Sequence, residues 1–162
     1  MRKRISYLKK AYSNGEKIYL EQGKDINIIG TNVFCFVIPQ KFLQKIKSTI
    51  VVEELNHNQY SDLIPTNIGE TPNLKYLNSE CIDGFQIVRY DCTDKYDTFL
   101  NKELVELFSK ECMMYQDFNI PQHPVTFFEK GEFVGMIMPM LIGDLEHSQS
   151  KTNTEMLKGS RW

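Results

Sequence analysis

The side chains able to do chemistry in this chain are few and widely spaced. Asp83, Asp91, Asp94 and Asp97 gather around the end of one apolar segment, where carboxylates can hold a divalent ion. Aspartate is also what turns favour, because its side chain hydrogen-bonds nearby backbone, and the turn is the stronger reading here. His57, His123 and His147 stand far apart in polar contexts, and Cys35, Cys81, Cys92 and Cys112 show no CxxC or CxxxC spacing. A zinc site therefore has no frame in the sequence. Cys35 lies inside FCFVI and Cys112 beside Met113, surroundings in which a free thiol packs as a small hydrophobe. There is no Gly-rich phosphate loop, nucleophile elbow or HExxH pattern. The expectation is a protein that is not an enzyme, with no metal and no cofactor.

Cationic side chains offer the alternative to catalysis, which is binding. Lys41, Lys45 and Lys47 follow one another on a short segment, and Arg2, Lys3, Arg4, Lys9 and Lys10 crowd the first ten positions. A formal net charge of -2 argues against a general nucleic-acid binder while leaving room for a local basic face. Unpaired thiols suit a reducing compartment, and MRKRISYLKK lacks the apolar core of an export signal. No apolar run approaches the roughly 20 residues that span a bilayer. A cytoplasmic chain without a membrane partner is expected.

The elements that must position these residues can be read from periodicity. Ile5, Leu8, Ala11 and Tyr12 recur at helical spacing and end at Ser13-Asn14-Gly15. The basic face of that helix suits phosphate or an acidic lipid surface, but on its own it reads as the solvated side of a packed helix. Short strands are expected over 17–20 and 25–29. Val33–Ile38 is a buried-type strand, Pro39 stops it and pre-sets a helical turn, and Phe42, Leu43 and Ile46 give the next helix its apolar face. A strand returns over 49–53.

Residues 57–72 read as a polar, mobile loop, 74–77 as a short strand, 85–90 as a clear strand and 91–98 as a turn. Leu100, Leu104, Leu107 and Phe108 form a helical stripe over 99–110, with Asn101 as N-cap, and a strand follows over 112–117. In PVTFFEKGEFVGMIMPM, Lys130-Gly131 is a two-residue hairpin turn between apolar runs. The simplest register sets Phe128 opposite Phe133, Phe127 opposite Val134, Thr126 opposite Gly135 and Val125 opposite Met136. Such cross-strand pairs contribute about 0.2–1 kcal/mol each. Both runs are apolar on both faces, so the hairpin belongs in the middle of a covered sheet.

The expected fold is α+β, with duplicated βαβ-β units and helices on one face of an antiparallel sheet. The division is an N-terminal helix with short strands over 1–32, an α+β core over 33–141 and a flexible polar tail over 142–162.

Ile38-Pro39-Gln40-Lys41-Phe42-Leu43-Gln44-Lys45-Ile46 resembles the strand ending in Ile-Pro and the Lys-rich helix of a bacterial sliding-clamp domain. Asn101-Lys102-Glu103-Leu104 is similar to a clamp helix motif, and Met138-Pro139-Met140-Leu141 to the family's closing strand, without its Arg. The likeness spans roughly residues 33–141. It implies a non-enzymatic binding module associated with DNA replication machinery, in which Lys41, Lys45 and Lys47 contact DNA and Met138, Pro139 and Met140 border a partner-peptide pocket. The departures are three. There is room for one domain rather than three, about twenty residues follow the Met-Pro-Met segment, and the helix expected over 99–110 carries Glu103 and Glu106. The alternative is a small phage- or mobile-element-type interaction or inhibitor protein acting on a host protein. A protein partner is expected in both readings, DNA in the first only, and the oligomeric state is left open.

Overall fold

The computed structural model of this 162-residue chain describes residues 1–66, 73–117, 119, 122–141 and the short strand at 158–159. The chain forms α1 (Arg2–Ser13), β1 (Ile18–Gln22), β2 (Asn27–Gly30), β3 (Phe34–Val37), α2 (Gln40–Lys47) and β4 (Val52–Glu54). Then come β5 (Leu74–Ile82), β6 (Phe85–Cys92), β7 (Tyr96–Asn101), α3 (Lys102–Val105), β8 (Met113–Tyr115), β9 (Val125–Glu129), β10 (Glu132–Ile137), β11 (Met140–Leu141) and β12 (Lys158–Gly159). The fold is α+β, mostly sheet with few helices.

Seven strands form the main sheet in the order β4-β1-β2-β3-β10-β9-β8. The β9–β10 hairpin lies inside it, flanked by β3 and β8, as its two apolar faces require. All pairings are antiparallel except β1 with β4. That exception follows from the chain path: β3, α2 and β4 make a strand–helix–strand crossover that passes over β2 and β1. β5, β6 and β7 form a separate antiparallel meander. Residues 1–32 supply β1 and β2 to the same sheet as β3. The expected tail, 142–162, lies outside the described residues apart from β12, which pairs with β11.

Side-chain alternation separates two cores. Phe34 and Phe36 of β3 face Leu8 and Ala11 of α1, Leu43 and Ile46 of α2, and Leu104 and Phe108. Cys35 points the other way, into a smaller cluster with Ile28, Met136 and Tyr60 that, among the described residues, contains none from α1, α2 or α3. The helices therefore share one face of the sheet. α1 stops in a Schellman motif: Gly15, at φ +87, donates to Tyr12 O and Glu16 N donates to Ala11 O.

The second face is covered by a segment whose sequence looked mobile. Tyr60 is fully buried, and Ser61–Leu63 form a 3-10 turn. The buried Glu21 carboxylate accepts from Tyr60 N at 2.8 Å and Ser61 N at 3.3 Å, and the Tyr60 hydroxyl donates to Thr31 O at 2.9 Å. A buried acid needs such partners; here they also fasten the strap. Residues 67–72 of the expected loop lie outside the described residues.

Three expectations are corrected. The hairpin turn is of type I′, with Lys130 at φ +52 and Gly131 at φ +80, but its register shifts after Phe133–Phe128. A bulge at Val134 sets Gly135 opposite Phe127, Met136 opposite Thr126 and Ile137 opposite Val125. The reason is Phe108, which comes from elsewhere in the chain. A Cβ on Gly135 would lie 2.5 Å from the Phe108 ring and 2.6 Å from Cys35 O, and that ring stacks on Phe127 at 4.3 Å and 14°.

Next, the expected helix over 99–110 is only the single turn Lys102–Val105; Tyr96–Asn101 are strand. Their six pairings with β6 satisfy the backbone, while Leu100, Leu104 and Phe108 still reach the core. Asn101 is the N-cap, accepting from Glu103 N at 2.9 Å. Last, β5 extends to Ile82 rather than stopping near 77.

The two sheets are tied by amides. Asn73, just before β5, donates through Nδ2 to Gln116 O and accepts at Oδ1 from Gln116 N at 2.9 Å. The buried Gln116 side chain accepts from the Thr98 hydroxyl and donates to His123 O at 2.8 Å.

Replacing Phe108 or Phe127 by Ala should each cost about 3–5 kcal/mol. The double variant should cost less than the sum, because stacked rings share about 0.5–1.5 kcal/mol beyond their area. Urea midpoints of the two single variants and the double would show strict additivity if the stack were incidental.

Candidate nucleic-acid interface

α1 and α2 are built alike. Each turns an apolar stripe to the sheet, Leu8 with Ala11 and Leu43 with Ile46. Each is free of acidic residues, so its solvent side is left to cations. Together the two helices hold eight of the chain's 19 Lys and Arg residues and none of its 21 Asp and Glu. A chain of slightly negative net charge thus carries an acid-free pair of helices on one face of its sheet, beside α3 with its Glu103.

Seven of these cations are exposed: Arg2, Lys3, Lys9 and Lys10 on α1, and Lys41, Lys45 and Lys47 on α2. Arg4 is the exception. Its Nε donates to Leu107 O at 3.0 Å, and its guanidinium lies 4.7 Å from the centroid of the Phe108 ring. Burial lowers its pKa, opposed by Cys112 and Glu129. It fastens α1 to the segment after α3 and is not a surface contact. Tyr7, edge-on to Phe34 at 5.1 Å, has its hydroxyl pKa pushed up to about 12 by burial, then by Glu103 and Glu16.

Carboxylates border the layer. Lys10 meets Glu103 at 3.3 Å and Lys47 meets Glu54 at 2.9 Å, while Lys17, between α1 and β1, meets Glu53 at 3.3 Å. Exposed pairs of this kind contribute at most about 1 kcal/mol each, so a stronger anion can displace the carboxylate. Lys41 rests over its neighbour Phe42, 5.0 Å from the ring centroid. Between α1 and α3 runs an open groove of about 460 Å³, with Arg2, Lys3, Ser6 and Lys10 on one wall and Glu103 and Glu106 on the other.

The other residues singled out from the sequence lie elsewhere. Met138 is half-buried and its N–H donates to Val33 O at 2.8 Å; Pro139 is buried, and Met140 begins β11. These three mark the exit of β10, on a different element from the three lysines. Asp83 sits in the β5–β6 turn, at the opposite end of β6 from Asp91, Asp94 and Asp97. Asp91 accepts from Asp94 N at 3.2 Å within its turn, and Asp97 is ion-paired with Arg89. Among the described residues no cluster of His, Cys, Asp or Glu is arranged to hold a metal ion. His57 is exposed, and His123 Nδ1 lies 3.3 Å from Pro124 O; His147 lies outside the described residues.

All four cysteines are free, with Cys35 and Cys92 buried, Cys112 half-buried and Cys81 exposed. Among the described residues no helix is long and apolar enough to cross a membrane.

No family model, no curated protein and no solved structure matches this chain.

The basic face of α1 was legible in the sequence, but each helix taken alone reads as an ordinary solvated face. Only their placement on one side of the sheet joins the two. The available signal was the joint absence of Asp and Glu from both amphipathic segments.

Thiol labelling of the native protein at mildly alkaline pH should modify Cys81 first. Burial raises the Cys35 thiol well above its usual range and that of Cys92 more moderately, so both are short of thiolate as well as shielded. Mass spectrometry that found Cys35 labelled as fast as Cys81 would contradict the packing of the second face.

Proposed function

We propose that this chain is a non-enzymatic binding module that meets duplex DNA through the α1–α2 layer, in the company of DNA replication machinery. The observation that carries the reading is the acid-free pair of helices on one sheet face. Seven exposed cations there meet a phosphate backbone without a facing carboxylate on either helix. Neutralising phosphates releases condensed counterions, a sequence-independent source of affinity. Lys41, Lys45 and Lys47 supply one half of the contact; Arg2, Lys3, Lys9 and Lys10 supply the other.

The sliding-clamp relation is the specific form of this proposal. It rests on the Ile38-Pro39 strand end leading into the lysine-bearing α2, and on the β3–α2–β4 unit. The counterpart, β7–α3–β8, has a one-turn helix and strands in different sheets, so a duplication would be strongly diverged. In this form Met138, Pro139 and Met140 border the place where a protein partner's peptide docks.

A second reading has its own observation. Tyr76, Leu77 and Phe85 are 58%, 41% and 49% exposed on the β5–β6 hairpin, and exposed aromatic side chains are the usual anchors of protein interfaces. This favours a small interaction or inhibitor protein, of the kind encoded by phages and mobile elements, acting on a host protein.

The deciding experiment measures duplex binding against salt. The logarithm of the association constant should fall by about 0.9 per phosphate contacted for each tenfold rise in salt. Lys41→Glu/Lys45→Glu/Lys47→Glu should weaken binding at low salt by at least about tenfold and flatten that slope. Absent or salt-insensitive binding by the parent chain would overturn the DNA reading.

A further inference from the structure

β5 is the longest strand among the described residues, nine residues from Leu74 to Ile82, and it forms an edge of the meander. Among the described residues it pairs with β6 alone. An open edge is a template for pairing with another chain, and proteins blunt such edges with short strands, Pro, charges or bulges. β5 is long, carries no Pro and is exposed from Lys75 through Ser79. Its blunting device is a bulge at Leu77, where Tyr76 lies opposite Tyr90 and Asn78 opposite Arg89. That bulge also decides which side chains share a face. Lys75 pairs with Asp91 and Glu80 with Ile87, an even number of residues apart on β6, so Lys75 and Glu80 point the same way. Without the extra residue their odd spacing on β5 would put them on opposite faces. Tyr76 and Ser79 share the other face, and the Tyr76 hydroxyl lies 3.2 Å from Ser79 Oγ.

We propose that β5 pairs antiparallel with β5 of a second copy of this chain, about a twofold axis between Leu77 and Asn78, joining two meanders into one sheet. In this register Lys75 lies opposite Glu80 of the second copy and, by symmetry, Glu80 opposite its Lys75. On the other face Tyr76 lies opposite Ser79 and Leu74 opposite Cys81. The two bulged leucines sit beside the axis, where each covers the other. A twofold contact must be self-complementary, and this strand supplies both members of each charge pair. Opposite charges across a strand pair stabilise it, and like charges directly opposite weaken it. Registers centred on Lys75 or on Glu80 set like charges together, so the charges select the one centred on the bulge. Only Leu74–Tyr76 and Ser79–Cys81 pair, a small interface that makes a weak, concentration-dependent dimer. The inference does not depend on duplex binding by α1 and α2.

The test is sedimentation equilibrium of the full chain, without DNA, from low to high micromolar concentration. The parent should pass from monomer to dimer. Lys75→Glu and Glu80→Lys should each weaken dimerisation about tenfold, because each turns both cross-strand pairs into like charges. Net charge alone would weaken the first variant and strengthen the second, since the parent stands at -2. Lys75→Glu/Glu80→Lys restores both pairs in reverse and should return to within about threefold of the parent. An equimolar mixture of the two single variants should dimerise as the double variant does, which separates lost pairing from a folding defect. Hydrogen exchange over 74–82 should slow as the dimer fills, with α1 and α2 unaffected. A chain that stays monomeric throughout overturns the inference and leaves the β5 edge to an unlike partner. So does a dimer indifferent to both single substitutions, one that the double variant fails to restore, or one that protects the helices instead of β5.

Discussion

One aromatic ring holds the parts of this molecule in register. Phe108 lies in the space left by the missing side chain of Gly135 and stacks on Phe127 of β9. The ring also meets the guanidinium of Arg4, whose Nε donates to the carbonyl of Leu107. The hairpin, the segment after α3 and the first helix thus meet at a single side chain. Gly135 must be bare for the ring to enter, and the bulge at Val134 is what brings Gly135 opposite Phe127. Close packing makes such a site intolerant of added or removed volume, so the three elements are fixed together.

That fixation decides where the charges go. With their apolar stripes committed to one face of the sheet, α1 and α2 have only cations and small polar groups left to present outward. The opposite face closes with a strap held by Tyr60 and a buried glutamate instead of a helix. α1 and α2 therefore present a basic surface, and the acidic residues beside it lie on α3 and the strands. The separation is a property of the fold as well as of the composition.

Much of this was legible in the sequence where a pattern was local. The Lys130-Gly131 turn, the Pro39 boundary and the stripes of α1 and α2 all depend on neighbours in the chain. The hairpin register was not legible beyond Phe133, because its bulge answers to a ring 26 residues upstream. β7 was hidden by Leu100, Leu104, Leu107 and Phe108, whose spacing fits a helix although the first of them lies on a strand. β5 gave little signal because most of it is exposed on both faces, which removes the alternation a half-buried strand shows. Of the candidate interface, the α2 lysines could be read directly. Their union with the α1 cations required knowing which side of the sheet each helix covers.

The tie between the two sheets has a different character from the surface. Asn73 grips the backbone of Gln116 through both ends of its amide, as a neighbouring strand would, and Gln116 in turn holds Thr98 and His123 O. Carboxamides and hydroxyls of this kind neither titrate near neutrality nor attract counterions. The internal joinery and the charged helical surface thus answer to different variables. An ionic strength that screens the lysines and arginines of α1 and α2 leaves the sheet-to-sheet contact untouched. Salt can mute the charge of the helices while the molecule keeps its shape.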